Sequence, residues 1–239
     1  MRVLLAFDTA TPQVTVALHD GDDVVVETTS DRTMKHGEQL APLIATALAE
    51  AGIARQDLTA IAVGAGPGPF TGLRVGLVTA RTLGFALEIP VYAACSLDVL
   101  AVEAVSTGTV SAADSGGFFV ATDARRKEVY LASYSADGAR LEGPVVARPA
   151  EVATDAPVVG EGAVLYPDAF PSPVGPLRPS ASWLARAVAE ERVELMDPEP
   201  LYLRRPDAVE QAVLKKSDHS VVDRTPGGRA SGGPESVSR

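Results

Sequence analysis

Two aspartates, Asp8 and Asp123, each close a short apolar run, Val3–Phe7 and Phe118–Thr122. A carboxylate at a strand end, here with Thr9 after Asp8, can hold Mg²⁺ or position water for phosphoryl transfer. It can equally accept hydrogen bonds from the turn that follows it. Between the two lies the glycine-rich stretch Gly64-Ala65-Gly66-Pro67-Gly68-Pro69-Phe70-Thr71-Gly72-Leu73-Arg74. It follows an apolar strand-like run and opens a helix, a place where backbone N–H groups can hold an anion. It lacks the Gly-Lys-Ser/Thr of a P-loop, and Gly66, Gly68 and Gly72 miss the dinucleotide-binding spacing by one residue. Pro67 and Pro69 also remove two donors, so by itself the loop reads as a tight strand-to-helix turn.

The other candidates narrow the chemistry further. His19, His36 and His219 are far apart, with no pair at helical spacing, so a His-pair metal site is unsupported. Cys95 is the only cysteine, which forbids an intrachain disulfide, and nothing nearby in sequence would stabilise its thiolate. Neither a Ser-His-Asp nor a Cys-His constellation can be assembled. The stretch Ala124-Arg125-Arg126-Lys127 after Asp123 is bulky and glycine-free, whereas close backbone approach to phosphates favours glycine. Its three charges suit a solvated hairpin tip. Arg74, a cation in a helix's first turn, sits at the unfavourable end of the macrodipole and calls for an acid, internal or from a partner. Phe70 beside it suits either a contact surface or a staple onto its own helix.

These residues need elements to position them. Val3–Phe7 reads as a buried strand, Val14, Val16 and Leu18 alternate as a half-buried one, and Val24–Val26 returns after the Asp20–Asp23 turn. Leu40, Leu43, Ile44, Ala47, Leu48 and Ala51 repeat at helical spacing with Gly52 as the stop, and Pro42 kinks that helix or marks its first regular turn. Ile61–Val63 is a strand, Thr71–Leu87 a helix, Val91–Ala94 a strand and Leu97–Val105 a helix. The second half reopens with a strand to Asp123, the alternating Glu128–Ser135, the Asp137-Gly138 turn and Leu141–Ala147, then Val158-Val159 entering Gly160-Glu161-Gly162 and a helix over 181–191. Two halves that each begin with a three-strand meander and an Asp at the first strand's end point to an internal duplication. The reading is an α/β chain with a first lobe over 1–105, a smaller second lobe over 106–197 and a linker near 106–117. The segment of about 198–215 packs back on the first lobe, and 216–239 is a disordered tail with too little apolar surface to offset its ordering entropy.

Composition sets the class. Of 239 residues, 46% are hydrophobic and 22% charged, which suits a globular core, and no run approaches the roughly 20 apolar residues of a membrane span. The start reads as no signal peptide, and a reducing cytoplasm fits a single cysteine. A net charge of −10 argues against a protein that grips nucleic acid alone.

Taken together, Leu5–Thr11 with Val14–Leu18, His36-Gly37-Glu38-Gln39-Leu40, Gly66–Gly76, Asp123–Tyr130 and Pro200–Arg204 resemble the TsaB (YeaZ) family. The Gly-Pro-Gly-x-Phe-Thr-Gly-Leu-Arg block is the specific motif. Gly37 and Pro69 stand where that family usually has serine. The resemblance implies an actin-like ATPase fold of two related lobes, each on a ribonuclease-H-like mixed sheet. It implies a non-catalytic partner subunit for making N6-threonylcarbamoyladenosine at position 37 of tRNAs reading codons that begin with A. The implied partners are a TsaD-type catalytic subunit and a TsaE-type ATPase, with a homodimer possible alone, tRNA contacted only within the complex, and no membrane.

On this view the partner interface draws on His36, Glu38, Leu40, Phe70, Thr71 and Arg74, and Asp8, Thr9 and Asp123 mark a vestigial nucleotide cleft. No catalytic residue, metal or cofactor is expected. An active small-molecule kinase of the same superfamily, or a protease, are the other classes, and each needs a phosphate loop, metal or nucleophile that the sequence lacks. Stoichiometric removal of metal with a chelator should therefore leave the melting temperature unchanged, because no closed tetrahedral ligand set is available.

Overall fold

The computed structural model describes residues 2–30, 35–110 and 116–204. The 216–239 tail and part of the 106–117 linker lie outside these residues. A five-stranded sheet is built from β1 (Leu4–Asp8), β2 (Thr15–His19), β3 (Val24–Thr29), β4 (Ala60–Gly64) and β5 (Val91–Ala94). Its order is β3-β2-β1-β4-β5. The β1-β2-β3 meander is antiparallel, and β4 and β5 run parallel to β1. A second sheet contains β6 (Phe118–Asp123), β7 (Val129–Tyr134), β8 (Arg140–Ala147), β9 (Val158–Val159) and β10 (Pro173–Val174). Read from β8 its order is β8-β7-β6-β9-β10, again an antiparallel meander followed by parallel strands. The two halves thus repeat one topology, the arrangement of the actin-like ATPase fold.

Helices α1 (His36–Ala51) and α2 (Phe70–Leu87) cover one face of the first sheet, where Phe7, Val16, Leu40, Ile44, Ile61 and Leu73 share a core. Gly52, at φ 63°, ends α1 as its sequence position requires. The helix begins at His36, earlier than its apolar repeat, and so carries Pro42 inside it.

The other face is covered by α3 (Ser96–Ser106) and α5 (Ala181–Ala189), with Leu4, Ala6, Ala17, Ala62, Val99, Leu184 and Ala185 packed together. Two expectations change here. β2 is buried along its whole length rather than on alternate residues, because a helix lies on each of its faces. The helix near 181–191, counted with the second half, packs on the first sheet, since its stripe Ala181, Leu184, Ala185 and Val188 has that open face to fill. Ser180 caps it by accepting from Trp183 N, and Ala181 N donates to Thr15 Oγ1 of β2. In the second half, the short helix α4 (Glu161–Leu165) packs on β6.

One polar contact in this layer carries a measurable consequence. Glu27 of β3 accepts from Ser180 Oγ at 2.7 Å, Thr15 Oγ1 at 3.2 Å and Ser182 N at 3.3 Å. Glu103 on α3, which feels the charge of Glu27, has one buried oxygen without a hydrogen-bond partner among the described residues. Burial, and then the charge of Glu27, push the Glu103 carboxyl up to about 7. A carboxyl raised on folding contributes stability that is fully present below its ordinary value of 4.5 and is lost as pH rises through about 7. Glu103→Gln, neutral throughout, should leave the melting temperature near wild type at about pH 5 and raise it at about pH 8. A melting curve recorded at each pH checks the sign.

Candidate functional site

The glycine-rich loop and the β1–β2 turn close on each other. Asp8 ends β1 fully buried, its Oδ1 accepting from Ala10 N at 2.6 Å and its Oδ2 from Ser96 Oγ at 2.6 Å. Burial pushes this carboxyl above its usual range, and the two hydrogen bonds oppose the shift. Thr9 Oγ1 donates to Gly72 O at 2.8 Å, and His36 Nε2 lies 2.7 Å from Thr11 O, so that nitrogen carries the proton. Gly64, Gly68 and Gly72 are required by proximity: a Cβ there would overlap Asp8 Oδ2, Ala10 O and Thr9 O respectively. Three carbonyls of the loop are also taken up. Gly66 O accepts from Ser96 N, Ala65 O from Leu201 N, and Gly68 O from the Tyr130 hydroxyl of the second sheet.

The structure therefore joins Asp8 and Thr9 to the Phe70–Gly72 turn and to His36. Asp123 instead closes the equivalent turn of the second sheet. Its Oδ1 accepts from Arg125 N at 2.8 Å, the same two-residue pattern that Asp8 makes with Ala10. In both sheets the aspartate is the acceptor that holds the turn. The thiol of Cys95, fully buried, is pushed up to about 12 by burial and by Asp98, which makes it inert. Among the described residues no group of three or more His, Cys, Asp or Glu side chains is placed to hold a metal.

The residues expected at a partner surface divide into two sets. Leu40 is 1% exposed and belongs to the core under the first sheet, and His36 is 8% exposed against Thr11. Neither can present a side chain to a partner, because α1 turns its apolar repeat inwards. Glu38, Thr71 and Arg74 are exposed, and Phe70 is 40% exposed. Glu38 pairs with Lys35 at 3.1 Å on the open surface, a contact of little net worth. Arg74 has no carboxylate in ion-pair range among the described residues. Its guanidinium lies 4.7 Å from the Phe70 ring centre, and Phe70 stacks on Tyr202 with centroids 5.1 Å apart. An aromatic face replaces the acid that its helix position called for.

Two features escaped the sequence reading. Phe70, Arg74, Val78 and Phe85 recur at helical spacing down the exposed side of α2, Val78 being 60% and Phe85 89% exposed. The spacing was there to be found, but it overlaps the apolar positions that α2 buries. The other is what Arg204 binds, which its place in the Pro200–Arg204 motif does not show. It donates to Ala124 O at 2.9 Å and pairs with Glu128, tying the chain's return segment to the β6–β7 turn. That turn holds Arg125, Arg126 and Lys127 at φ 61°, 54° and 62°, three successive left-handed residues without a glycine, at a cost of about 1–2 kcal/mol each.

The close packing of the two turns is testable. Gly68→Ala places a methyl against the Ala10 carbonyl and should destabilise the fold by about 2 kcal/mol in urea unfolding.

Residues 25–193 match the family model described as TsaD, tRNA N6-adenosine threonylcarbamoyltransferase. An uncharacterized protein of Mycobacterium tuberculosis is 43% identical over 218 residues, 89% of this chain and 97% of that one. The tRNA threonylcarbamoyladenosine biosynthesis protein TsaB of Bacillus subtilis is 34% identical over 140 residues, 58% of each chain. The structure of YeaZ from Pseudomonas aeruginosa superposes with a TM-score of 0.66 at 32% identity, covering 85% of this chain and 100% of that one. With a family model over most of its length and the whole of YeaZ matched in structure, the chain belongs to the TsaB (YeaZ) family.

Proposed function

We propose that this chain is the non-catalytic, TsaB-type subunit that a TsaD-type catalytic subunit needs to place threonylcarbamoyl on N6 of adenosine 37 in tRNAs reading codons that begin with A. A TsaE-type ATPase completes the set, the chain can pair with itself when alone, and the work takes place in the cytoplasm. Among the described residues no helix is long and apolar enough to cross a membrane.

The observation that carries the reading is the exposed side of the α1–α2 pair. On α1 it presents Ala41, Ala45 and Ala49, and on α2 it presents Val78 and Phe85 with Arg74 and Phe70 at one end. Small residues let another helix approach closely, and aromatic and arginine side chains are the usual anchors of an interface. The closed junction of the two turns supports a subunit without phosphoryl chemistry of its own. Asp8 has both oxygens engaged, and Gly68 and Gly72 lie against the backbone that a phosphate would have to displace.

Co-purification with a TsaD-type subunit tests this proposal. Phe85→Asp, and separately Arg74→Glu, should weaken association by about 30-fold or more, as loss of an anchor does. Both side chains are exposed in the isolated chain, so its melting temperature should move little. If neither substitution affects co-elution, the surface lies elsewhere. If cells depleted of the chain keep their threonylcarbamoyladenosine, the function is wrong.

A further inference from the structure

Where α5 stops at Ala189, a cavity of about 410 Å³ remains between its end and the first sheet, within the size range of small-molecule sites. Its floor follows from strand register. Leu4 of β1 stands opposite His19 of β2 and Ala60 of β4, and Tyr92 of β5 stands opposite Ala62, two residues beyond Ala60. All four side chains therefore lie on the face of the sheet that α5 covers. Val188 closes one side, and Leu195, on the segment leading to the pairing of Met196 with Ala93, closes another.

Three polar groups here lack partners. His19 is 4% exposed, and its Nδ1 accepts from Gly21 N at 3.0 Å, which puts the neutral ring's proton on Nε2. Nε2 itself has no hydrogen-bond partner among the described residues, and an N–H so placed is costly unless something meets it. Arg2 and Glu191 line the same cavity, exposed, and neither makes an ion pair with the other or with any described residue. The aspartates of the neighbouring turn are already engaged. Asp20 accepts from the N–H groups of Asp22 and Asp23, and Asp23 pairs with Arg186.

Arg2 and the Nε2–H of His19 suit a carboxylate. Glu191 stands just past the C-terminal end of α5, where the last helix carbonyls add negative potential, and suits a cation. A plain anion would meet the field of Glu191, Asp20 and Asp23, and a plain cation would leave Arg2 and His19 unmatched. A zwitterion matches both. Leu4, Ala60, Val188 and Leu195 make the rest of the wall apolar.

We propose that this cavity binds a free amino acid with an apolar side chain, its carboxylate on Arg2 and His19 and its ammonium on Glu191. The site lies on the opposite face of the first sheet from α1 and α2, so it is independent of the partner surface.

Calorimetric titration of the full chain with L-valine and L-leucine tests this. At least one should bind with a Kd below about 1 mM. The tighter of the two is then compared with its deaminated acid and its decarboxylated amine, each of which should bind about tenfold or more weakly. Arg2→Gln and Glu191→Gln should each weaken the amino acid by about tenfold or more, and since both side chains are exposed the melting temperature should move little. No binding of either amino acid at about 10 mM overturns the proposal. Equal affinity for the acid or the amine overturns it too, as does unchanged affinity in either variant.

Discussion

Helix α3 is buried nearly all round, and the two sheets are held together by having to cover it. Val99 faces the first sheet with Leu4, Ala6 and Ala62, while Leu97, Leu100, Ala101 and Ala104 face the second with Phe118, Val120 and Tyr134. A helix buried on nearly every side cannot leave its apolar faces to water, so each sheet supplies a wall the other cannot. The polar groups on α3 reinforce the arrangement. Ser96, its first residue, donates to Asp8 of β1, and Asp98 accepts from the Tyr134 hydroxyl of β7 at 2.7 Å. Arg140 of β8 stands 3.6 Å from Asp98 and 3.0 Å from Glu194.

This constraint explains why the candidate site is shut. Ser96 fixes Asp8, Asp8 fixes the β1–β2 turn through Ala10, and that turn rests on Gly68 and Gly72 of the loop. Opening the junction would break bonds to α3 and leave a buried carboxyl without donors, which is costly in a low-dielectric interior. Rigidity here and exposure along α2 belong together. The loop delivers α2 at a fixed angle, with its exposed stripe outward and its glycines against the neighbouring turn.

Much of this was legible locally. The Asp-terminated strands, the meander repeated in both halves, the bounds of α2 and the Gly52 stop are written in short-range periodicity and turn residues, which act over a few neighbours. The glycine spacing in 64–72 was visible too, and so was the removal of donors by Pro67 and Pro69.

Which surfaces are covered was decided only by distant elements. β2 lost its exposed face because α5, some 160 residues later in the chain, lies on it. Leu40 and His36 went inside because α1 rolls its apolar repeat onto the sheet, leaving small residues outside. Arg74 found an aromatic ring because Tyr202 returns to hold Phe70 beneath it. The left-handed run at Arg125–Lys127 follows from the pairing of Asp123 with Val129, which leaves five residues to turn the chain, and from Arg204, neither of which a reading of residue types can supply. Sequence by itself set the elements and their order, because those depend on neighbours. Burial and partnership depend on what packs from afar, and that only the tertiary structure decided.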